Sequence, residues 1–242
     1  MKHGSVIAQT AGASHLTSTT VKAGGETLTL GRPVGKVRPV MSLYRRIVGH
    51  PIVYEYVRPL AVGGIDMSPA YQRLGAGPDA VIVDVGCGTG DALKHLDAFT
   101  SYLGFDTDPG AIEYARARYA TRPNVRFECR ECTQDDLVRL APTHVSMIGL
   151  LHHLPDDAAV ELLASLKASV SLTRAVTLDI VYLEGHFYNN LLASLDRGKH
   201  CRTEPAYVEL ARRAGLSVRD TALVKSHPTR GLVDYFIMEL DR

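Results

Sequence analysis

The sequence predicts an α/β fold: a doubly wound sheet of about seven strands, mostly parallel, with one antiparallel strand. Three observations predict it. From Ala80 onward, short apolar runs alternate with segments of helical periodicity. A glycine-rich turn, "VGCGTG", follows the first of these runs. Near the C-terminus two strand-like runs follow one another with no helix-length segment between them, which supplies the antiparallel strand.

Composition agrees with a single α/β domain. The chain has 242 residues, 45% of them hydrophobic and 22% charged, enough for one sizeable core. A net charge of +1 gives no global field that would draw in nucleic acid or an anionic membrane. No apolar run reaches the roughly 18 residues of a membrane span, and no signal-peptide core opens the chain, so a soluble cytoplasmic protein is expected. Of the four cysteines, Cys129 and Cys132 form a CxxC. No second pair follows, and "VRFECRECT" reads as a strand and its exit, so no metal site is expected.

The elements follow in order. Residues 1–36 are rich in Ser, Thr, Gly and Ala, with little to bury, and read as a flexible N-terminal segment. Between Val40 and Ala61 apolar residues recur at helical spacing, and Pro51 would open a second helix. Then come the strand "AVIVDVG", the helix "DALKHLDAF", the strand "SYLGFD" and the helix "PGAIEYARARYA". The strand "NVRFECRE" and the strand with exit "HVSMIGLLHHL" precede the helix "DDAAVELLASLKASV". The strand "AVTLDIVYL", the helix "EPAYVELARRAG" and the strands "LSVRDTALVKS" and "GLVDYFIMEL" complete the chain.

Glycines at 86, 88 and 90 sit where a parallel sheet meets its ligands, at the carboxyl end of a strand. They allow positive φ and close approach of the backbone. A dinucleotide fingerprint, G-x-G-x-x-G, would need glycine at position 91, where this chain has Asp91. A carboxylate there repels a diphosphate, so a nicotinamide or flavin dinucleotide fits poorly and a ligand with a cationic end fits better.

At this point the sequence resembles the class I S-adenosylmethionine-dependent methyltransferases, from about Ala80 to the C-terminus. "VDVGCGTG" is similar to their first motif, "YLGFDTDPGAIEYAR" to the second, "FECREC" occupies the third, and "GLLHHLPDD" resembles the stretch after the fourth strand. The resemblance implies a Rossmann-like domain over residues 37–242, with cap helices at 37–75 and a lid insertion at 182–203. It implies S-adenosyl-L-methionine as cofactor, with Gly86, Cys87, Gly88 and Gly90 packing on its methionyl part. It also implies that Asp84 orients the loop and the ammonium group, Asp106 binds the ribose hydroxyls, Thr107 packs near adenine, and Glu131 and Cys132 occupy the third motif. Ile148 would meet the methionyl group through its backbone. The acid that often starts the fourth strand is replaced here by Thr143.

For each candidate a plainer reading stands beside the functional one. Asp84 could cap a turn, although an acid within a buried strand needs a partner. Asp108, before Pro109, reads as a helix cap. His152 is the candidate general base or substrate contact, with a structural histidine as the alternative. "LDRGKHCRT", carrying Asp196, Arg197, Lys199, His200 and Arg202, reads either as a solvated loop or as an anchor for an anionic substrate. Arg32, Lys36, Arg38, Arg45 and Arg46, in a stretch with no acid, favour the anchor, and Tyr44, Tyr54 and Tyr56 read as packing residues. The expected activity is methyl transfer to an O, N or C atom of a small molecule, possible anions included, in secondary or specialised metabolism. No nucleic-acid partner is expected. The alternative is a protein that binds the cofactor without transferring its methyl group, as a regulator or a cyclisation or rearrangement catalyst.

Overall fold

A computed structural model describes residues 65–196 and 198–242. The expected flexible segment, the helices between 40 and 61, the basic cluster from Arg32 to Arg46, and Tyr44, Tyr54 and Tyr56 lie outside the described residues. Helix α1 (Ser68–Leu74) comes first, then β1 (Val81–Val85), a one-turn 3-10 helix (Asp91–Lys94), β2 (Ser101–Asp106), α2 (Pro109–Arg118) and β3 (Val125–Cys129). Helix α3 (Gln134–Leu140), β4 (His144–Ile148), a 3-10 turn (Leu151–His153), α4 (Asp156–Ser165) and β5 (Arg174–Tyr182) follow. The chain ends with α5 (Phe187–Leu195), β6 (Arg202–Thr203), α6 (Glu204–Arg213), β7 (Ser217–Lys225) and β8 (Asp234–Asp241).

The sheet has the order β3-β2-β1-β4-β5-β8-β7, and the two-residue β6 pairs with the last residues of β5. Strands β1 to β5 are parallel, and β8 pairs antiparallel with both β5 and β7. One strand, β8, therefore runs against the rest, as the chain's final pair of strand-like runs predicts. After β1 the chain builds outward through β2 and β3, then returns to place β4 on the other side of β1. That reversal makes the carboxyl ends of β1 and β4 the topological switch point, where such sheets bind ligands.

Alternation along the strands divides the core between the two faces. Ile82 and Tyr102 pack on one side with Leu93, Ala115, Leu178 and Ile237. Val83, Val85 and Phe105 pack on the other with Leu137, Leu163 and Leu210. Each helix buries one stripe: in α6 Tyr207, Leu210 and Ala211 face inward, at the i, i+3, i+4 spacing of a helix laid on a sheet. Of the 37–75 segment expected to cap the site, only residues 65–75 are described. There α1 lies on the sheet, with Ala70, Tyr71 and Leu74 buried and Arg73 paired to Asp220 and Glu239. Strand β7 forms one edge, mostly exposed and carrying Arg219, Asp220 and Lys225, charges that discourage pairing with another chain.

Two elements differ from the sequence expectation. "DALKHLDAF" forms one 3-10 turn, Asp91–Lys94, and then an extended descent to β2. Its apolar residues are all buried, Leu93 from the turn and Leu96 and Phe99 from the irregular chain that follows it. Helix α3 was not expected. Its start is a capping box, in which the Thr133 hydroxyl accepts the Asp136 N–H and the Asp136 carboxylate accepts the Thr133 N–H.

Candidate active site

The loop after β1 is held from β2. The N–H groups of Gly86 and Cys87 donate to the Phe105 carbonyl at 2.8 and 3.0 Å, and the Gly88 N–H donates to Asp106 Oδ2 at 2.8 Å. Gly88 has φ +51°, and among the described residues a Cβ built on it would meet nothing within 4 Å. Gly90 has φ +76° and its Cβ would strike Phe127 at 2.9 Å and Tyr119 at 3.0 Å. Glycine is thus required at 90 by the core behind it, and at 88 by backbone conformation beside open space. Cys87 turns inward, where its sulfur underlies Gly104 and burial pushes its thiol well above the usual range. Only the backbone of Cys87 is offered to a ligand.

Asp106, at the tip of β2, accepts the Gly88 N–H on one oxygen and the Asp108 N–H on the other at 2.9 Å. A carboxylate has about four acceptor sites, so capacity remains on both oxygens for a pair of hydroxyls. Thr107 beside it is exposed. Asp108 caps α2 as its sequence context predicts, accepting from Gly110 and Ala111 N–H at 2.8 and 3.2 Å.

Asp84 lies beneath the loop, 2% exposed, with Ser146 Oγ donating to one oxygen and Tyr102 Oη to the other, each at 2.6 Å. Burial raises its pKa to about 6, against the opposing effect of those two hydroxyls. The residue braces β1 against β2 and β4. Beyond β3, Glu131 is exposed and Cys132 is half-buried, its thiol pushed up to about 12 by burial. All four cysteines are free thiols. Ile148 ends β4 half-buried, and Gly149 N–H donates to the Leu178 carbonyl at 2.6 Å.

A methyltransferase-domain family model matches residues 82–171, which spans β1, the glycine loop, Asp106 and the β4 exit. No curated protein matches the sequence significantly. Among solved structures, the chain is similar to magnesium protoporphyrin IX methyltransferase from Synechocystis with bound S-adenosylhomocysteine. The identity is 17%, covering 85% of this chain and 94% of that one, with a TM-score of 0.54. It is similar to a cyclopropane synthase from Mycobacterium tuberculosis at 12% identity, 73% and 82% coverage and a TM-score of 0.57. An S-adenosylmethionine-dependent methyltransferase from Mesorhizobium loti matches at 17% identity, 72% and 96% coverage and a TM-score of 0.52. Residues 82–171 carry a methyltransferase domain, and the chain has the fold of S-adenosylmethionine-dependent methyltransferases.

The residues of this methyltransferase fit its cofactor, S-adenosylmethionine. The space beside Gly88 admits a ligand against bare backbone, and Asp106 keeps acceptors for a cis-diol. Asp91 behaves differently from expectation. Its carboxylate pairs with Lys94 at 2.6 Å and Arg118 at 2.9 Å rather than with the loop's N–H groups. A diphosphate is still disfavoured, because a one-turn 3-10 helix has no array of aligned N–H groups to offer it. Thr143 lies at the amino end of β4, remote from the loop, where its hydroxyl accepts the Val81 N–H at 2.9 Å. The missing acid at that position therefore has no bearing on the cofactor.

His152 comes to the carboxyl end of β4, but it is fully buried. Its Nδ1 lies 2.7 Å from Asp179 Oδ1 on β5, and its Nε2 lies 3.3 Å from Asp196 Oδ1 after α5. Burial alone would lower the imidazole's pKa; the two carboxylates outweigh it and hold the ring above its ordinary value. The backbone of Gly198 lies directly on the ring, leaving no room for a Cβ. A general base needs a lone pair turned to the substrate, and both nitrogens of His152 are turned to carboxylates. The expectation of a base is corrected accordingly. Asp179 was missed: an acid in an apolar strand, "TLDIV", is the same signal that singled out Asp84.

The 182–203 insertion forms α5 and a return loop. Arg202, in a segment read either as a solvated loop or as an anion anchor, is buried and spent on protein acceptors. It donates to the Leu151, Leu154 and His200 carbonyls at 2.7–2.9 Å and to Asp156 at 2.7 and 2.9 Å. It ties the insertion to the β4 exit. Arg197 lies outside the described residues, Lys199 is exposed and His200 half-buried. No described helix is long and apolar enough to cross a membrane.

Proposed function

We propose that this methyltransferase acts on a small molecule, transferring the methyl group to an O, N or C atom in secondary or specialised metabolism. The observation that carries the reading is the left-handed Gly88 beside open space, next to the Asp106 carboxylate at the switch point of the sheet. When bound, S-adenosylmethionine supplies an activated methyl group and its own leaving group. The protein's part is alignment and exclusion of water, and alignment alone is worth up to roughly 7–11 kcal/mol of barrier in favourable cases. Asp106 and the loop backbone orient the cofactor, while α5 and its return loop border the acceptor side.

Helix α5 supports an acceptor with an apolar or aromatic body. It exposes Phe187 at 73% and Tyr188 at 78%, next to Asn189 and Asn190, which fasten the helix to the end of β5. The buried, fully engaged Arg202 weakens the case for an anionic acceptor. The test is incubation of the full chain with S-adenosylmethionine and a panel of small hydroxylated and amine acceptors. Formation of S-adenosylhomocysteine with a matching methylated product supports the reading. Tight cofactor binding without product across the panel favours binding without transfer.

A further inference from the structure

His152 presents an unusual arrangement for a histidine within a core. Asp179 can only accept, so Nδ1 carries the proton between them, and the backbone N–H of His152 donates to the same oxygen at 3.1 Å. Nε2 of a neutral ring then holds a lone pair. That atom is completely buried, has no hydrogen-bond partner among the described residues, and faces the Asp196 carboxylate, whose side chain is 4% exposed. The pair calls for a cation between Nε2 and Oδ1, either a proton on the ring or a metal ion. His153 supplies a third donor: one ligand atom from each of His152, His153 and Asp196 can be chosen so that all three lie within 4.8 Å of one another.

We propose that His152, His153 and Asp196 bind a divalent transition-metal ion of the zinc class. In a tetrahedral centre with metal–ligand bonds of about 2.0–2.1 Å, ligand atoms stand about 3.3 Å apart. The Nε2–Oδ1 separation is 3.3 Å, and the pair is not aligned as a hydrogen bond. Asp179 completes a carboxylate–histidine–metal arrangement, since a metal-binding imidazole generally gives its other N–H to an acceptor that fixes its tautomer. Asp196 also accepts the Gly198 N–H at 2.9 Å, which orients the carboxylate toward the ring. His153 is exposed, so the ion has a way in from solvent. Three protein ligands leave one coordination position for water or an oxygen of another ligand.

The experiment uses the full chain, stripped with a chelator, dialysed and titrated with Co²⁺ as a spectroscopic probe, with Zn²⁺ as competitor. One equivalent of Co²⁺ should bind with the intense visible bands of a tetrahedral site and be displaced by Zn²⁺. His153→Ala, at an exposed position that leaves the core intact, and Asp196→Asn should each weaken binding at least tenfold. Asp179→Asn should weaken it by about 10–100-fold, the scale of a lost outer partner. A Cys129→Ser, Cys132→Ser double variant should bind as the unaltered chain does. Absence of stoichiometric Co²⁺ binding would overturn the proposal. So would binding that survives both His153→Ala and Asp196→Asn in variants shown by circular dichroism to be folded, or binding lost with the two cysteines.

Discussion

Alanine at Gly88 and alanine at Gly90 should fail in different ways, and the contrast tests whether the loop touches the cofactor. Both positions are left-handed, at φ +51° and +76°, a conformation that costs a residue with a Cβ roughly 1–2 kcal/mol. At Gly88 the described residues add nothing else, because none of their atoms lies within 4 Å of the new methyl group. At Gly90 the methyl group would lie 2.9 Å from Phe127 and 3.0 Å from Tyr119, ring atoms buried in or packed on the core. Overpacking there adds about 1–3 kcal/mol. A domain of this size loses about 2–4 °C of melting temperature per kcal/mol. Gly88→Ala should therefore melt about 2–8 °C lower and Gly90→Ala about 4–20 °C lower. Calorimetric titration with S-adenosylmethionine at a temperature where both variants are folded then reads the second effect. Gly88→Ala should lose at least tenfold in affinity despite being the more stable of the two. Unchanged affinity in folded Gly88→Ala would refute the placement of the cofactor against this loop.

Three further outcomes are expected. Asp106→Ala should weaken cofactor binding more than tenfold in a folded protein, since it removes a charged acceptor contributing about 1.5–3 kcal/mol, and titration calorimetry checks it. Asp84 has a native pKa raised from 3.8 to about 6, so its contribution to stability is fully present below the unfolded value and is lost as pH rises through about 6. In urea melts, Asp84→Asn should therefore gain about 3 kcal/mol relative to the unaltered chain between about pH 4 and pH 7, and a constant difference would contradict the raised pKa. Arg202→Ala removes the guanidinium donors from the Leu151, Leu154 and His200 carbonyls, leaving Leu151 only the Leu154 N–H, and should cost about 2–4 kcal/mol by denaturant melting.

What the sequence made legible was local or periodic. Alternating strands and helices give the sheet, and the acid ending "SYLGFD" lies at a strand tip wherever that strand begins. The glycine loop is legible because its spacing is itself the constraint. His152 was misread for the opposite reason. Its partners, Asp179 and Asp196, come from a different strand and from the end of a different helix, and no spacing along the chain announces that they converge. Arg202 was misread in the same way, because it answers backbone carbonyls, which have no signature in the sequence. The helix expected at Asp91–Phe99 failed because apolar residues three apart read as a helix face, whereas the chain buries Leu96 and Phe99 from irregular backbone after a single 3-10 turn. Helix α3 did leave a signal, the threonine and aspartate three residues apart of its capping box.

The β4 exit joins the two halves of the site, and this is where its geometry has most consequence. On the cofactor side, a Cβ at Gly86 would lie 3.2 Å from Leu150, so the glycine loop rests directly on this segment. On its other side, the next residues hold the 182–203 segment: Leu151 and Leu154 through Arg202, and His152 through Asp196 and the His200 N–H at 3.0 Å. Leu150 through Leu154 thus form a short wall with the cofactor loop on one side and the insertion on the other. Methyl transfer needs nucleophile, methyl carbon and sulfur in line, and errors of about 1 Å are costly. A shared wall of this kind fixes that distance with five residues, where two independent loops would have to agree. Burying His152 and Arg202 against it exchanges two groups that could have met a substrate for rigidity in the segment between the glycine loop and residues 182–203.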